Sequence, residues 1–352
     1  MKTLLTFGLA ALLASPALAQ TCQLTGTITG LGTQKATYYY TRQGQNHLDT
    51  LRVVNDRIAQ AVNYGDDGMT TIRFKNGEQG GLAIVGVWAE PGTVRLQGAK
   101  EHMDRIEVTG TPENNVLNQY NHAVLWQDVP PVKNEAEYRA LQARQGQQTR
   151  QFIQAHPATR TSAYLLYWQT MMLPAHPLAD YEKLARQLTP AVRQSWYGQQ
   201  VAKRLDVLRN QPTVGRPVAD FSIADTAGVN HSLANYRGKY VLLDFWGHWC
   251  GPCIRAMPKV KALHEQYAGK LMVIGVAMEN ADDMPEWKRA IRKHSVPGLQ
   301  LSELQADKGP VITGYNINAF PTYLLLDPQG KLVARTNDVD ELAKQLAALG
   351  TL

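Results

Sequence analysis

The sequence has few cysteines, no long apolar run beyond its first residues, and no marked excess of either charge. Three cysteines in 352 residues, Cys22, Cys250 and Cys253, exclude a disulfide-built scaffold, because small stapled folds need several bridges. They leave no metal site to expect: Cys22 lies far from the other two, and no Cys/His set completes four zinc ligands. Lys plus Arg number 36 against 30 for Asp plus Glu. The basic residues are scattered rather than gathered in a run that tracks a phosphate backbone, so nucleic acid is not an expected partner. No later segment approaches the roughly twenty apolar residues of a membrane span. Hydrophobic residues at 44% and charged residues at 19% indicate a globular chain, long enough for two or three domains.

What is present begins with an address. Met1-Lys2 is followed by a nearly unbroken apolar run from Leu4 to Ala14, the Ser15-Pro16 break, and the small-x-small triplet Ala17-Leu18-Ala19. This pattern predicts a signal peptide over residues 1–19, a mature start at Gln20 and an exported, periplasmic protein. The alternative is a lipid anchor through Cys22, although Thr21 stands where a lipoprotein keeps a small residue. Otherwise Cys22 is expected to be a free or occasionally crosslinked thiol.

Residues 20–111 read as a small antiparallel β domain. Gln23–Ile28, Ala36–Thr41, Arg57–Tyr64, Thr70–Phe74, Leu82–Ala89, Thr93–Leu96 and Ile106–Val108 are short strand patterns, separated by turns at Gly65–Gly68, Asn76-Gly77 and Pro91-Gly92. Over residues 112–210 the period changes. Val116, Leu117, Tyr120, Val124 and Leu125, then Tyr164, Leu165, Tyr167 and Trp168, recur at helical spacing. This helical region reads as a packed spacer more readily than as a ligand-selecting surface. Pro212 and Pro217 with Gly215 mark a seam before a third region, residues 211–352, where strand and helix patterns alternate as in an α/β sheet.

That last region carries the chemistry. Tyr240–Trp246 is a buried-strand pattern running into Gly247-His248-Trp249-Cys250-Gly251-Pro252-Cys253, and a helical stretch follows. A cysteine at a helix N-terminus meets unpaired N–H groups and the positive end of the dipole, which favour thiolate over thiol. A second cysteine three residues on stands one turn away, within reach of a disulfide. Gly251-Pro252 allows the tight entry and presets φ at the helix start. The pair can therefore cycle, Cys250 attacking a substrate disulfide and Cys253 resolving the mixed disulfide. A purely structural disulfide or half a zinc site are the plainer readings of the same spacing.

At these residues the sequence resembles the thioredoxin superfamily. Trp249-Cys250-Gly251-Pro252-Cys253 matches its active-site motif, Asp244 stands where the family keeps a buried carboxylate, and Pro258 matches its helix-kinking proline. Phe320-Pro321-Thr322 matches its cis-proline triplet. The lead-in Gly215–Phe221, Leu233–Lys239 and the long gap from Cys253 to Pro321 are similar to the exported TlpA/ResA-like branch. The β-rich head is similar to a domain of unassigned function that precedes such modules in Bacteroidetes-type bacteria.

The resemblance implies a thioredoxin fold over 211–352 and a protein-disulfide oxidoreductase with no cofactor beyond the redox-active Cys250–Cys253 disulfide. It implies that Asp244 moves a proton to or from Cys253, and that cis Pro321 offers the Phe320 backbone to an extended substrate. Trp249 is expected to shield the pair, while Phe320, Thr322, Gly251 and Pro252 contact substrate. The lysine that thioredoxins set beside the acid is absent from Leu271–Ala277. Glu279 and His248 are candidate modulators of the thiolate. The Gly-Pro spacer resembles thioredoxin, whose potential lies near about −270 mV against roughly −120 mV for the oxidant DsbA, and so implies a reductase. Its partners would be protein thiols and disulfides of the cell envelope and, because the periplasm keeps no thiol buffer, a membrane electron donor. Apocytochrome c maturation is one role among several. The rival functions are a thiol peroxidase, which needs a lone peroxidatic cysteine, and an envelope binding or stress protein in which the redox module is secondary. Oligomeric state is left open.

Overall fold

The structure, a computed structural model, describes residues 21–76, 81–128, 131–171 and 177–350. The expected signal peptide and Gln20, and residue 77 of the expected Asn76–Gly77 turn, lie outside the described residues. The chain divides into two compact units, one ending at Ala202 and the other beginning at Lys203.

The first unit opens with an eight-stranded sheet made of β1 (Thr21–Thr29), β2 (Gln34–Arg42), β3 (Gln45–Val54), β4 (Arg57–Asn63), β5 (Met69–Asn76), β6 (Gly81–Trp88), β7 (Thr93–Ala99) and β8 (Glu107–Thr109). Their order is β6-β5-β2-β3-β4-β1-β7-β8. Neighbours are antiparallel except β1 and β7, which run parallel. Alternation drives burial: Cys22, Leu24 and Ile28 of β1 and Ala36, Tyr38 and Tyr40 of β2 point into one core. Gly26 is required where β1 meets β7, because a Cβ there would stand 2.0 Å from the Leu96 carbonyl oxygen. Strand β3 escapes the sequence pattern: it starts Gln45-Asn46-His47 and buries only Leu51 and Val53. Cys22 is a free thiol, as expected for one of its readings; it is buried in the core of the sheet, and burial pushes the thiol up to about 11.

Helices α1 (Pro112–Tyr120), α2 (Glu135–Ala155), α3 (Arg160–Met171), α4 (Leu178–Gln187) and α5 (Pro190–Gln194) follow, and α6 (Trp196–Asn210) contains the division between the units. Two carboxylates hold α1 and α3 in place. Glu90 accepts the Glu113 amide at the start of α1 (2.9 Å) and the Arg160 guanidinium (2.6 Å). Glu113 in turn accepts the first amides of α3, from Arg160 (2.8 Å) and Thr161 (2.9 Å). Each acid thus satisfies orphan N–H groups at a helix N-terminus and complements its dipole. Arg160 forms an ion pair with each acid, at 2.6 Å from Glu90 and 3.6 Å from Glu113, and lies over the Trp88 ring, 4.9 Å from its centroid.

After the end of α6 the second unit continues with the hairpin β9 (Ser222–Ala224) and β10 (Asn230–Ser232). It continues as β11 (Tyr240–Trp246), α7 (Gly251–Gln266), β12 (Leu271–Ala277), α8 (Met284–His294), β13 (Leu299–Ser302), α9 (Pro310–Gly314), β14 (Thr322–Leu326), β15 (Leu332–Thr336) and α10 (Val339–Ala348). The sheet order is β13-β12-β11-β14-β15. β11, β12 and β13 are mutually parallel, β14 is antiparallel to β11, and β15 is antiparallel to β14. This is the mixed α/β thioredoxin fold, with β11 at the centre and buried on both faces. Val241, Leu243 and Phe245 enter one core with Phe221 and Tyr315. Leu242 enters the other with Val260 and Leu263 of α7, and Trp246 packs with Cys253 and Met257. By the two-residue period, Asp244 faces the α7 side between them.

Candidate active site

The site grows from the end of β11. Gly247–Cys250 is a tight turn closed by the Cys250 amide donating to the Gly247 carbonyl (3.0 Å), and Cys250 is the N-cap of α7. Its sulfur accepts the Cys253 amide at 3.2 Å, so it occupies the place where the helix presents unpaired N–H groups. Cys250 and Cys253 form a disulfide with Cα atoms 5.3 Å apart; both residues are buried. Gly251 and Pro252, exposed, make the first turn of α7. Pro258 lies inside the helix, where its missing N–H deprives the Ile254 carbonyl of its helical partner.

Aromatic side chains rim the pair. Trp249 is 50% exposed, its indole N–H donates to the Met278 carbonyl just past β12 (3.1 Å), and its ring meets Phe320 edge-on at 5.5 Å between centroids. The Phe320–Pro321 peptide bond is cis. Thr322, buried at the start of β14, donates to the Ala319 carbonyl (2.7 Å). Asn337 secures this loop by donating to the Pro321 carbonyl and the Thr322 hydroxyl, each at 2.7 Å. Trp246 and Trp287 close the site from below in the same apolar cluster as the cysteines.

Two acids sit in this apolar setting with opposite arrangements. Asp244 is 2% exposed, its Oδ1 has no hydrogen-bond partner, and burial alone pushes the carboxyl up to about 7. Its strand neighbours are Gly275 on β12 and Tyr323 on β14; no lysine occupies β12. A Cβ at Gly275 would strike the Gln300 side chain, which crosses there to accept the Trp246 indole N–H (3.0 Å). Glu279 is 1% exposed but partnered: Oε1 accepts the His248 amide (2.7 Å) and Oε2 meets His248 Nδ1 (2.6 Å). Burial still raises the Glu279 carboxyl above its ordinary range, outweighing those hydrogen bonds.

The fold therefore gathers Cys250, Cys253, Trp249, Phe320 and Pro321 at one end of the sheet, with Thr322 beneath the loop and Asp244 under α7. Sequence reasoning did not find Met278, Gln300, Trp287 or Asn337, which lie far along the chain and carry no local motif. Gly275 had a readable signal, an isolated glycine inside a central-strand pattern, which marks a close approach.

Both parts of the chain are similar to known families. Residues 214–335 match the model of the AhpC/TSA family, and residues 22–117 match a domain of unknown function, DUF4369. The thiol-disulfide oxidoreductase ResA of Geobacillus kaustophilus is 31% identical over 140 residues, covering 39% of this chain and 78% of that protein. The thioredoxin-like protein YneN of Bacillus subtilis is 35% identical over 116 residues, covering 33% of this chain and 66% of the relative. A solved thiol-disulfide oxidoreductase from Bacteroides fragilis is 28% identical, with a TM-score of 0.36 covering 38% of this chain and 99% of that one. The chain belongs to the ResA-type thiol–disulfide oxidoreductases, with Cys250 and Cys253 as its CxxC disulfide.

Proposed function

We propose that the protein is an exported reductase of protein disulfides in the cell envelope, working through a Cys250/Cys253 dithiol–disulfide cycle. The observation that carries this reading is the disulfide at the N-terminus of α7, with Cys250 as N-cap. In the reduced enzyme the Cys250 thiolate attacks one sulfur of a substrate disulfide. A new S–S bond forms, the substrate S–S bond breaks, and the departing thiolate takes a proton. Cys253 then loses its proton and attacks the Cys250 sulfur. The second substrate thiol leaves, and the enzyme holds the disulfide seen here. Two electrons have passed to the substrate, and an envelope electron donor must restore the dithiol.

Asp244 suits the proton step. A carboxyl near 7 is divided between acid and base forms at neutral pH and can take the Cys253 proton or return it. The exposed Trp249 ring and Phe320 give an apolar rim for an unfolded client, and the backbone before Pro321 would pair with it as an added strand. Gly251 and Pro252 leave the approach to Cys250 free of bulk, and Thr322 holds the loop. A thiol peroxidase would act through a lone cysteine, whereas here the partner thiol stands one turn away. Periplasmic placement rests on the leader pattern of residues 1–19; among the described residues no helix is long and apolar enough to cross a membrane.

Trapping tests this reading. A Cys253→Ser variant expressed in the native envelope should accumulate mixed disulfides through Cys250, and mass spectrometry of the adducts names the clients. Absence of adducts, with wild-type abundance of the variant, would count against protein disulfides as substrates.

A further inference from the structure

His248 and Glu279 are joined more tightly than packing requires. The turn Gly247–Cys250 carries His248 and Trp249 at its two central positions, and the end of β12 holds both: Met278 takes the Trp249 indole and Glu279 takes the amide and ring of His248. A buried carboxylate with two donors from one residue acts as a strut for the turn that presents Cys250. With the carboxylate ionised, Nδ1 carries the hydrogen of this contact. Two peptide units separate His248 from Cys250, so their Cα atoms stand at most about 7.6 Å apart. At that range a net charge bears on the sulfur.

We propose that Glu279 and His248 form one positioning unit, in which the carboxylate fixes the turn and the imidazolium cancels the carboxylate's charge, keeping the Cys250 thiolate accessible. The inference rests on Cys250 being the attacking thiol. While both members are charged the unit is neutral. Loss of the imidazole leaves a lone buried anion near the nascent thiolate and disfavours it, whereas loss of the carboxylate charge leaves a cation and favours it. Among the other charged groups, Asp283 on the turn after β12 interacts electrostatically with both members, and on α7 Arg255 lies against Gly251. Both are retained in every variant below.

The test is the pH dependence of Cys250 alkylation in the reduced full chain, with the modified residue mapped by mass spectrometry. His248→Ala should raise the apparent thiol pKa by about one unit and Glu279→Gln should lower it. His248→Gln keeps a donor for Glu279 without a charge, and should reproduce the rise while holding the thermal midpoint nearer wild type than His248→Ala does. Cys250 alkylating first with displacements of opposite sign bears out the unit. Cys250 alkylating first with displacements of the same sign, or none, overturns the unit while leaving the dithiol cycle standing. Cys253 alkylating first overturns both.

Discussion

Glu90, Glu113 and Cys22 in the first unit and Asp244 and Cys250 in the second show different ways of burying an ionisable group. In the first, Glu90 and Glu113 are each tied to a helix N-terminus and to Arg160, and Cys22 is an enclosed thiol pushed up to about 11. In the second, Asp244 has no cation and an unpartnered oxygen, and Cys250 caps a helix at the edge of an aromatic rim. A buried charge whose partners are complete acts as architecture, because every proton it holds or lacks is accounted for. A buried acid left incomplete has its proton affinity displaced towards neutrality, where it becomes usable. Cysteine shows a related contrast: Cys22 is a free thiol within the sheet core, whereas Cys250 caps α7 and is held in a disulfide.

The largest effect that would break this contrast concerns Asp244. Its folded value is raised, so the fold favours the neutral acid. That stability is complete below the ordinary carboxylate range near pH 4 and is lost as pH rises through about 7. Asp244→Asn should therefore stabilise the oxidised protein by about 4 kcal/mol at pH 9 and by almost nothing at pH 4. Denaturant midpoints at the two pH values check this; a gain equal at both would mean the acid is not held neutral.

Next in size is Arg160. Arg160→Met strands Glu90 and Glu113 in their partly enclosed positions and should cost the first unit about 3 kcal/mol, read as a lower urea midpoint, while insulin reduction per folded molecule stays unchanged. Smallest is Cys22→Ala, which removes one buried sulfur and should cost about 1 kcal/mol with full activity. In wild type, Cys22 should resist alkylation until the first unit unfolds; labelling of the native protein at Cys22 would contradict its enclosure.

How much of this could be read from the sequence follows from how local each signal is. Trp249-Cys250-Gly251-Pro252-Cys253, the Tyr240–Trp246 run and Phe320-Pro321-Thr322 are contiguous, so the fold and the chemical class were legible in them. Most strands of the first sheet were legible by alternation, but β3 was not, since the polar Gln45-Asn46-His47 start hides a strand whose apolar residues come late. Asn337 and Gln300 reach the site only through tertiary pairing, and nothing in their own neighbourhoods announces it. His248 and Glu279 were each visible as candidates, yet their hydrogen bonds depend on the end of β12 meeting the turn after β11. The enclosure of Cys22 likewise depends on which face of β1 turns inward, which a lone cysteine near a leader does not reveal.

The most direct measurement is reduction of insulin disulfides by the pre-reduced protein, comparing wild type with Cys250→Ser. Wild type should reduce insulin until its dithiol is spent, and Cys250→Ser, folded and retaining Cys22 and Cys253, should be inactive. Unchanged insulin reduction by Cys250→Ser would contradict the assignment of the chemistry to the helix-capping thiol.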